Sequence, residues 1–114
     1  MKKAKPVANA EAVTIGPFPF SATLWRYSGE KASWYFITLP VETAEDIRAC
    51  TAGERRGWGS IPVIVTIGKS SWSTSLFPHK EGPTFLLPIK AEVRKKEGLE
   101  EGKSLQASVA LTMS

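Results

Sequence analysis

Hydrophobic and polar residues alternate most regularly at the end of the chain, in residues 104–113. Every second residue there is apolar, namely Leu105, Ala107, Val109, Leu111 and Met113. This period of two predicts a strand with one buried and one exposed face. The segment 61–67 is instead β-branched and almost wholly apolar, which is typical of a strand buried on both faces.

Four further segments carry weaker strand signals. They are residues 18–27, 34–39, 71–76 and 84–87, separated by polar or glycine-containing turns. The first two are close enough to form a hairpin. Residues 13–15 have the composition of a short edge strand, but the segment 1–16 shows no sustained period, so we predict a flexible N-terminal tail there.

A helix is predicted after Pro40, which ends the 34–39 strand. Thr43 has the side chain of a helix N-cap, and acidic residues follow in the first turn, where the helix dipole favours them. Gly53 would end this helix. The buried face would consist of Ala44, Ile47 and Thr51.

A second, basic helix is predicted over residues 90–97. Pro88 ends the strand before it, and Gly98 follows as a residue suited to the left-handed conformation at a helix C-terminus. Leu99 should fold back onto Val93, a contact that often accompanies such an end.

The order of these elements repeats. Residues 38–42 and 86–90 share a Leu-Pro-aliphatic-charged pattern, and each follows a hairpin and precedes a helix, a glycine and a strand. We therefore predict two pseudo-repeated halves, 18–67 and 71–113, related by a pseudo-two-fold axis, with chance similarity as the alternative. Two such halves can cover each other's exposed sheet edges by closing into a barrel.

The predicted fold class is mainly β: a small closed or half-closed β-barrel of about six to seven strands with two short helices. A chain of 114 residues has the size of one domain. We assign residues 17–114 to that domain. At this length a core forms without disulfides or metal.

Short motifs follow one another through most of the chain. They are Ser60–Val63, Thr66–Gly68, Ser75–Pro78, Gly82, Leu87–Lys90, Val93–Lys95, Gly98–Leu99 and Gly102. This series, within about residues 18–112, resembles the bacterial and archaeal domain-of-unknown-function family 1905, which often precedes a YdeI/OmpD-associated domain. The resemblance implies a double-split β-barrel. The family typically has Gly-Asp in the last turn, whereas this chain has Gly102 and Lys103.

The same C-terminal stretch is similar to the AbrB/MazE/SpoVT family of DNA-binding barrels. Those proteins carry a proline, a helix with arginine, a Leu-Gly-Ile-like cap and Gly-Asp before a strand. They are dimers in which each chain gives half a barrel. The repeat suggests that this chain could build the equivalent barrel alone, which favours a monomer but leaves the oligomeric state open. Such an analogy concerns the fold, and a fold does not fix function.

The charge distribution argues against a strongly basic folded surface. The formal net charge is +4, and Lys2, Lys3 and Lys5 come before the first acid, Glu11. The remaining 12 basic and 11 acidic residues nearly balance. A nucleic-acid binder usually concentrates Lys and Arg on its folded surface. No apolar run approaches the ~18 residues that span a bilayer, so we expect no membrane partner.

Catalytic chemistry finds little support in the residue types present. The single histidine, His79, falls in a loop, and the single cysteine, Cys50, is expected to be buried and structural. Nucleophilic catalysis needs a base beside a nucleophile, and zinc needs a larger ligand set. We therefore predict no enzyme activity and no catalytic, metal-binding or cofactor-binding residues. The lone cysteine also favours a cytoplasmic location.

Two groups of residues are candidates for contacts with a ligand or nucleic acid. The first is Lys90, Arg94 and Lys95 on the basic helix 90–96, with a solvated charged face as the alternative.

The second group combines aromatic rings with arginine. Trp25, Arg26 and Trp58 could stack on a base or an extended peptide, with packing in the core as the alternative for both tryptophans.

These features predict a non-catalytic binding or interaction module whose partner is an unknown small molecule, peptide or nucleic acid. The alternative is an AbrB-like nucleic-acid-binding protein that uses the basic helix. A third hypothesis is a small-molecule pocket in the barrel mouth, lined by Trp25, Tyr35 and Trp72.

Overall fold

The computed structural model describes residues 13–51, 59–79 and 82–113. It contains seven strands and two helices within those ranges. In chain order they are β1 (Val13–Thr23), β2 (Trp25–Ser28), β3 (Ser33–Thr38), α1 (Val41–Thr51), β4 (Ile61–Ile67), β5 (Ser70–Pro78), β6 (Phe85–Pro88), α2 (Ala91–Glu97) and β7 (Ser104–Met113).

All neighbouring strands are antiparallel, in the order β1-β7-β4-β5-β6-β3-β2. The two end strands, β1 and β2, are consecutive in the chain, and only Leu24 separates them. The Leu24 N–H donates to the Lys103 carbonyl at 3.1 Å, and the Leu24 carbonyl accepts from the Gly102 N–H at 2.8 Å. The sheet therefore curls until its ends meet at Leu24, which gives the small half-closed β-barrel that the sequence predicts.

The core lies inside this curled sheet. At its centre Val63 of β4 faces Leu111 of β7, and Val65 faces Val109, all four almost completely buried. The predicted inward positions of β7 from Leu105 to Leu111 are confirmed. The Met113 side chain lies outside the described residues.

The first strand departs from the prediction. It begins at Val13, within the segment 1–16 that we predicted as a tail. Pro17 and Pro19 lie inside this strand, and proline normally interrupts a ladder because it lacks an N–H. Here β1 is the end strand of the order and pairs only with β7, and Pro17 falls at the register shift in that pairing. End strands and bulges are the places where a sheet tolerates proline.

Helix α1 also begins earlier than predicted. It starts at Val41, directly after Pro40, so Thr43 lies in the first turn instead of capping the helix. The predicted buried face of Ala44, Ile47 and Thr51 is confirmed, whereas Gly53 lies outside the described residues. Cys50 is exposed, so our prediction of a buried cysteine is wrong. Its position is turned away from the buried stripe along this helix.

Helix α2 ends as predicted. Gly98 adopts the left-handed conformation, with φ of 66°. The Leu99 N–H donates to the Arg94 carbonyl at 2.9 Å, and the Gly98 N–H donates to the Lys95 carbonyl at 3.4 Å. These bonds satisfy carbonyls at the helix end, and Leu99 packs against the core.

The strand order is unchanged when the two halves are exchanged. For this comparison β1 and β2 count as one bent strand. The exchange pairs that strand with β5, β3 with β6, and β4 with β7. Every strand then keeps equivalent neighbours in the sheet. Thr38 and Leu86, which are equivalent in the repeated motif, lie directly opposite each other in the β3–β6 pair. Both facts are compatible with a pseudo-two-fold axis. Origin by duplication stays a prediction.

Candidate functional site

The barrel wall opens where β6 ends. The last residue of β6, Pro88, pairs with Phe36 of β3, while β3 and β5 both extend beyond this point. Between their extensions lies a cavity of about 450 Å³, which we call the Pro88 groove. Its lining includes Trp34, Tyr35, Trp72, Pro88, Lys90 and Arg94.

Arg94 is held in place on one wall of the Pro88 groove. Its Cζ atom lies 3.7 Å from the centre of the Tyr35 ring, and its Nε–H donates to the Ile89 carbonyl at 3.3 Å. The Ile89 N–H in turn donates to the Tyr35 carbonyl at 2.9 Å, which fixes the Pro88 corner against β3. Within the part of the chain that the structure describes, neither Nη group of Arg94 has a hydrogen-bond partner.

Lys90 forms the second cation–aromatic contact. Its Nζ atom lies 5.9 Å from the centre of the Trp72 ring and 3.6 Å from Oε1 of Glu92. The Glu92 side chain is 83% exposed, so water and salt weaken this ion pair. Lys90 therefore keeps most of its capacity to attract an anion.

A second cavity lies on the other side of this lysine. It has a volume of about 340 Å³, and Lys90 and Trp72 line both cavities. We call it the lysine cavity because Lys69 and Lys96 also line it.

Glu97 fixes the shape of the lysine cavity. Its Oε2 atom accepts hydrogen bonds from Ser70 Oγ at 2.6 Å and from the Lys69 N–H at 3.3 Å. These bonds tie the end of α2 to the β4–β5 turn. Lys69 and Lys96, from different elements, are thereby held beside the same cavity.

The Pro88 groove combines positive charge with apolar walls. Its lining, taken over the residues that the structure describes, holds Lys90 and Arg94 and no acidic side chain. Tyr35 and Trp72 are half-buried, and Trp34 is 57% exposed at the groove rim. Such a surface can bind an anion that carries a flat or apolar group.

Comparison with known proteins identifies the family. A family model described as "Domain of unknown function (DUF1905)" matches residues 20–109. The chain belongs to this family. The matched segment contains both helices and every residue named above in the two cavities. No curated protein matches the chain.

Of the predicted group of Trp25, Arg26 and Trp58, the structure describes the first two, and neither lines the two cavities of this DUF1905 domain. Trp25 pairs with Phe36, so it lies on the opposite face of the sheet from Tyr35 and does not line the Pro88 groove. Its Nε1–H donates to Thr38 Oγ1 at 2.9 Å, and its ring centre lies 5.1 Å from that of Phe36.

The other two members of that group are placed as follows. Arg26 lies opposite Tyr35 in the β2–β3 pair, with its Nε atom 3.6 Å from Oε1 of Glu101. Trp58 lies outside the described residues.

The predicted residues of the basic helix separate into two sets. Lys90 and Arg94 line the Pro88 groove, as expected for residues one helical turn apart. Lys95 is exposed and lines neither cavity. Of the predicted mouth pocket, Tyr35 and Trp72 line the groove and Trp25 does not.

Sequence reasoning missed Trp34 and Lys69. Trp34 occupies the end of β3 that extends past Pro88, and Lys69 occupies a two-residue turn. The available signal was the length of β6, because a strand shorter than both neighbours leaves the neighbouring ends uncovered. The turn lysine carries no comparable local signal.

The single histidine lines neither of the two cavities. His79 follows β5, and its N–H donates to the Thr84 carbonyl at 3.0 Å. Across residues 13–51, 59–79 and 82–113, no three His, Cys, Asp or Glu side chains group as metal ligands. Neither helix in these ranges is long and apolar enough to cross a membrane.

Proposed function

We propose that this DUF1905 domain is a non-catalytic binding module and that the Pro88 groove is its ligand site. The ligand carries a carboxylate or phosphate together with a flat or apolar group. The observation that carries this proposal is Arg94, which is stacked on Tyr35 with both Nη groups unpaired among the described residues, in a groove without acidic lining.

The geometry of Arg94 favours an oxyanion as the ligand group. Its Nε–H is already used by Ile89, so the edge formed by the two Nη groups remains for a partner. That edge can donate two parallel hydrogen bonds to a carboxylate or phosphate. Stacking on Tyr35 fixes the guanidinium plane before binding, which lowers the entropic cost of ordering the side chain.

The walls favour a flat or apolar ligand body. Tyr35 and Trp72 offer ring surfaces, and the exposed face of Trp34 adds a third ring at the rim. A volume of about 450 Å³ lies within the usual range for small-molecule sites. A free carboxylic acid and the C-terminal carboxylate of a peptide share this chemistry. The lone cysteine supports a cytoplasmic site of action.

Titration with benzoate, a flat ring with one carboxylate, tests the proposal. We expect saturable shifts in the amide NMR signals of residues 33–35, 72–74 and 89–94. Arg94→Gln should weaken binding about tenfold or more, because it removes hydrogen bonds to a charged group that contribute about 1.5–3 kcal/mol.

Arg48→Gln is the matched control, because Arg48 also lies over an aromatic ring, with Cζ 5.7 Å from the centre of Phe85. It should leave benzoate affinity unchanged. Absence of saturable shifts in the wild-type protein, or equal affinity in the wild type and Arg94→Gln, would overturn the proposal.

Nucleic-acid binding is the second candidate function. It is supported by three exposed lysines on or beside α2, namely Lys90, Lys95 and Lys96, and by the resemblance to AbrB-like barrels. Duplex affinity should then fall by about 0.9 log units per phosphate contact for each log unit of salt. Lys95→Gln separates the two candidates, because Lys95 lines neither cavity. It should make the fall of duplex affinity with salt less steep, by the amount expected for about one phosphate contact, and leave benzoate binding unchanged. Absence of duplex binding at low salt would rule out this candidate.

A further inference from the structure

We infer that the Pro88 groove and the lysine cavity form one two-compartment site for a small molecule in which a planar ring carries a phosphate. This inference rests on the proposed function, and it adds a phosphate as a second point of attachment for the ligand. The ring occupies the Pro88 groove, and the phosphate occupies the lysine cavity.

The two compartments are contiguous because they share two side chains. Trp72 and Lys90 line both cavities, and the Lys90 ammonium lies over the Trp72 ring at 5.9 Å. A ring packed beside Trp72 in the Pro88 groove can therefore direct a substituent past Lys90 into the lysine cavity. Among the residues that the structure describes, Lys90 is the cation that lines both compartments.

The compartments differ in the kind of cation that they present. The lysine cavity has three ammonium groups, from Lys69, Lys90 and Lys96, against the carboxylate of Glu92. Several point charges suit a phosphate, which carries up to two negative charges on oxygens that point in several directions. In the Pro88 groove, the Arg94 guanidinium is stacked on Tyr35, and its Nη edge is available to an oxygen substituent of the ring, as in the proposed function.

The lysine cavity is also preorganised. Glu97 accepts hydrogen bonds from Ser70 Oγ and the Lys69 N–H, so the turn and the helix that supply the lysines are already joined. Binding then needs to order the lysine side chains and not the backbone, which reduces its entropic cost. The carboxylate that opposes the phosphate, Glu92, is 83% exposed, so solvent screens its repulsion.

Titration with phenyl phosphate, benzoate and inorganic phosphate tests this inference in the full chain. Phenyl phosphate should bind about tenfold more tightly than inorganic phosphate, because its ring adds contacts in the Pro88 groove. It should shift the amide signals of residues 69–71 and 33–35 and the indole N–H signal of Trp72. Benzoate should shift only the Pro88 groove signals.

The double variant Lys69→Gln with Lys96→Gln should lower phenyl phosphate affinity about tenfold and leave benzoate affinity unchanged. Lys95→Gln is the matched control on the same helix and should change neither affinity. A titration with adenosine monophosphate distinguishes two sources of this chemistry. Tighter binding than phenyl phosphate identifies a nucleotide, and weaker binding identifies a simpler aryl phosphate.

The outcomes separate this inference from the proposed function. If phenyl phosphate binds no more tightly than inorganic phosphate, or its affinity is unchanged in the double lysine variant, the two-compartment site is wrong and the groove remains an anion site. If benzoate does not bind the wild-type protein, both the proposed function and this inference are wrong.

Discussion

The two Leu-Pro corners of the barrel, Leu39–Pro40 and Leu87–Pro88, occupy equivalent places in the strand order but differ in how they are packed. At the first corner, α1 buries Ala44, Ile47 and Thr51. The buried Thr84 donates to the Leu39 carbonyl at 2.6 Å there. At the second corner, α2 buries only Val93, and the Pro88 groove remains open beside it. One corner therefore contributes mainly to stability, while its counterpart leaves open the groove that we propose as the ligand site.

The two helices that follow these corners also differ in charge. Helix α1 has three acidic residues and one basic residue, whereas α2 with Lys90 has four basic and two acidic residues. The excess of positive charge at the open corner agrees with the anionic ligand that we propose. The strand order provides a Leu-Pro corner twice, and the side chains around the two corners differ in burial and in charge.

The largest difference should appear when a buried side chain is shortened on each helix. Ile47→Ala should lower the free energy of unfolding by about 2–5 kcal/mol, because Ile47 is completely buried and a cavity remains. Val93→Ala should cost about 1.5 kcal/mol, at about 0.8 kcal/mol for each methyl group removed. Urea unfolding of both variants measures the difference. An equal or larger loss in Val93→Ala would contradict the assignment of the first corner to stability.

A smaller loss of stability should follow when the hydrogen bonds of Glu97, which join α2 to the β4–β5 turn, are disturbed. Gly68 has a φ of 59°, and an added Cβ would collide with Glu97 Oε1. Gly68→Ala should therefore cost about 1–2 kcal/mol for the left-handed backbone, and about 0.5–1.5 kcal/mol more for each Glu97 hydrogen bond that is lost.

Gly98→Ala is the matched control for this attachment. Its φ of 66° is similar, but nothing lies within 4 Å of the added Cβ. Thermal unfolding should show the smaller loss for Gly98→Ala. Equal losses would mean that Glu97 moves aside without cost and does not hold the turn.

The smallest expected effect is loss of the hydroxyl at the first corner. Thr84→Val keeps the side-chain shape but removes the donor to the Leu39 carbonyl, which should cost about 1–2 kcal/mol. Thr74→Val makes the same change at the Pro88 groove, where, in the part of the chain described, Thr74 makes no side-chain hydrogen bond. It should change stability by less than about 0.5 kcal/mol. A similar loss in both variants, measured by urea unfolding, would remove the contrast between the corners.

Local sequence signals predicted much of the fold. The bounds of β4 and β7 are those expected from the apolar run and the alternation, and α2 differs by one residue from its prediction. The signals for these elements are the spacing of apolar residues and the helix-ending Gly98. Such signals act over a few neighbouring residues. The start of β1 was missed because the effect of Pro17 and Pro19 depends on which edge of the strand is paired, and that is a tertiary property.

The candidate site was predictable only in part. Lys90 and Arg94 were recognised together because one helical turn separates them. Their aromatic partners, Tyr35 and Trp72, belong to β3 and β5, and only the assembled barrel brings them beside α2. The position of Trp25 outside this groove has a related cause. Its position relative to Tyr35 depends on the β2–β3 register, which places it opposite Phe36.

The junction at Leu24 has a consequence for strand register. The two ends of the sheet are linked there by the peptide chain itself, and the Leu24 side chain is only 1% exposed. A slip of one residue between β1 and β7 would turn this leucine outward and reverse the faces of both adjoining strands. A single buried residue thus helps to specify the alignment at both ends of the sheet, including that of β3, the strand that supplies Tyr35.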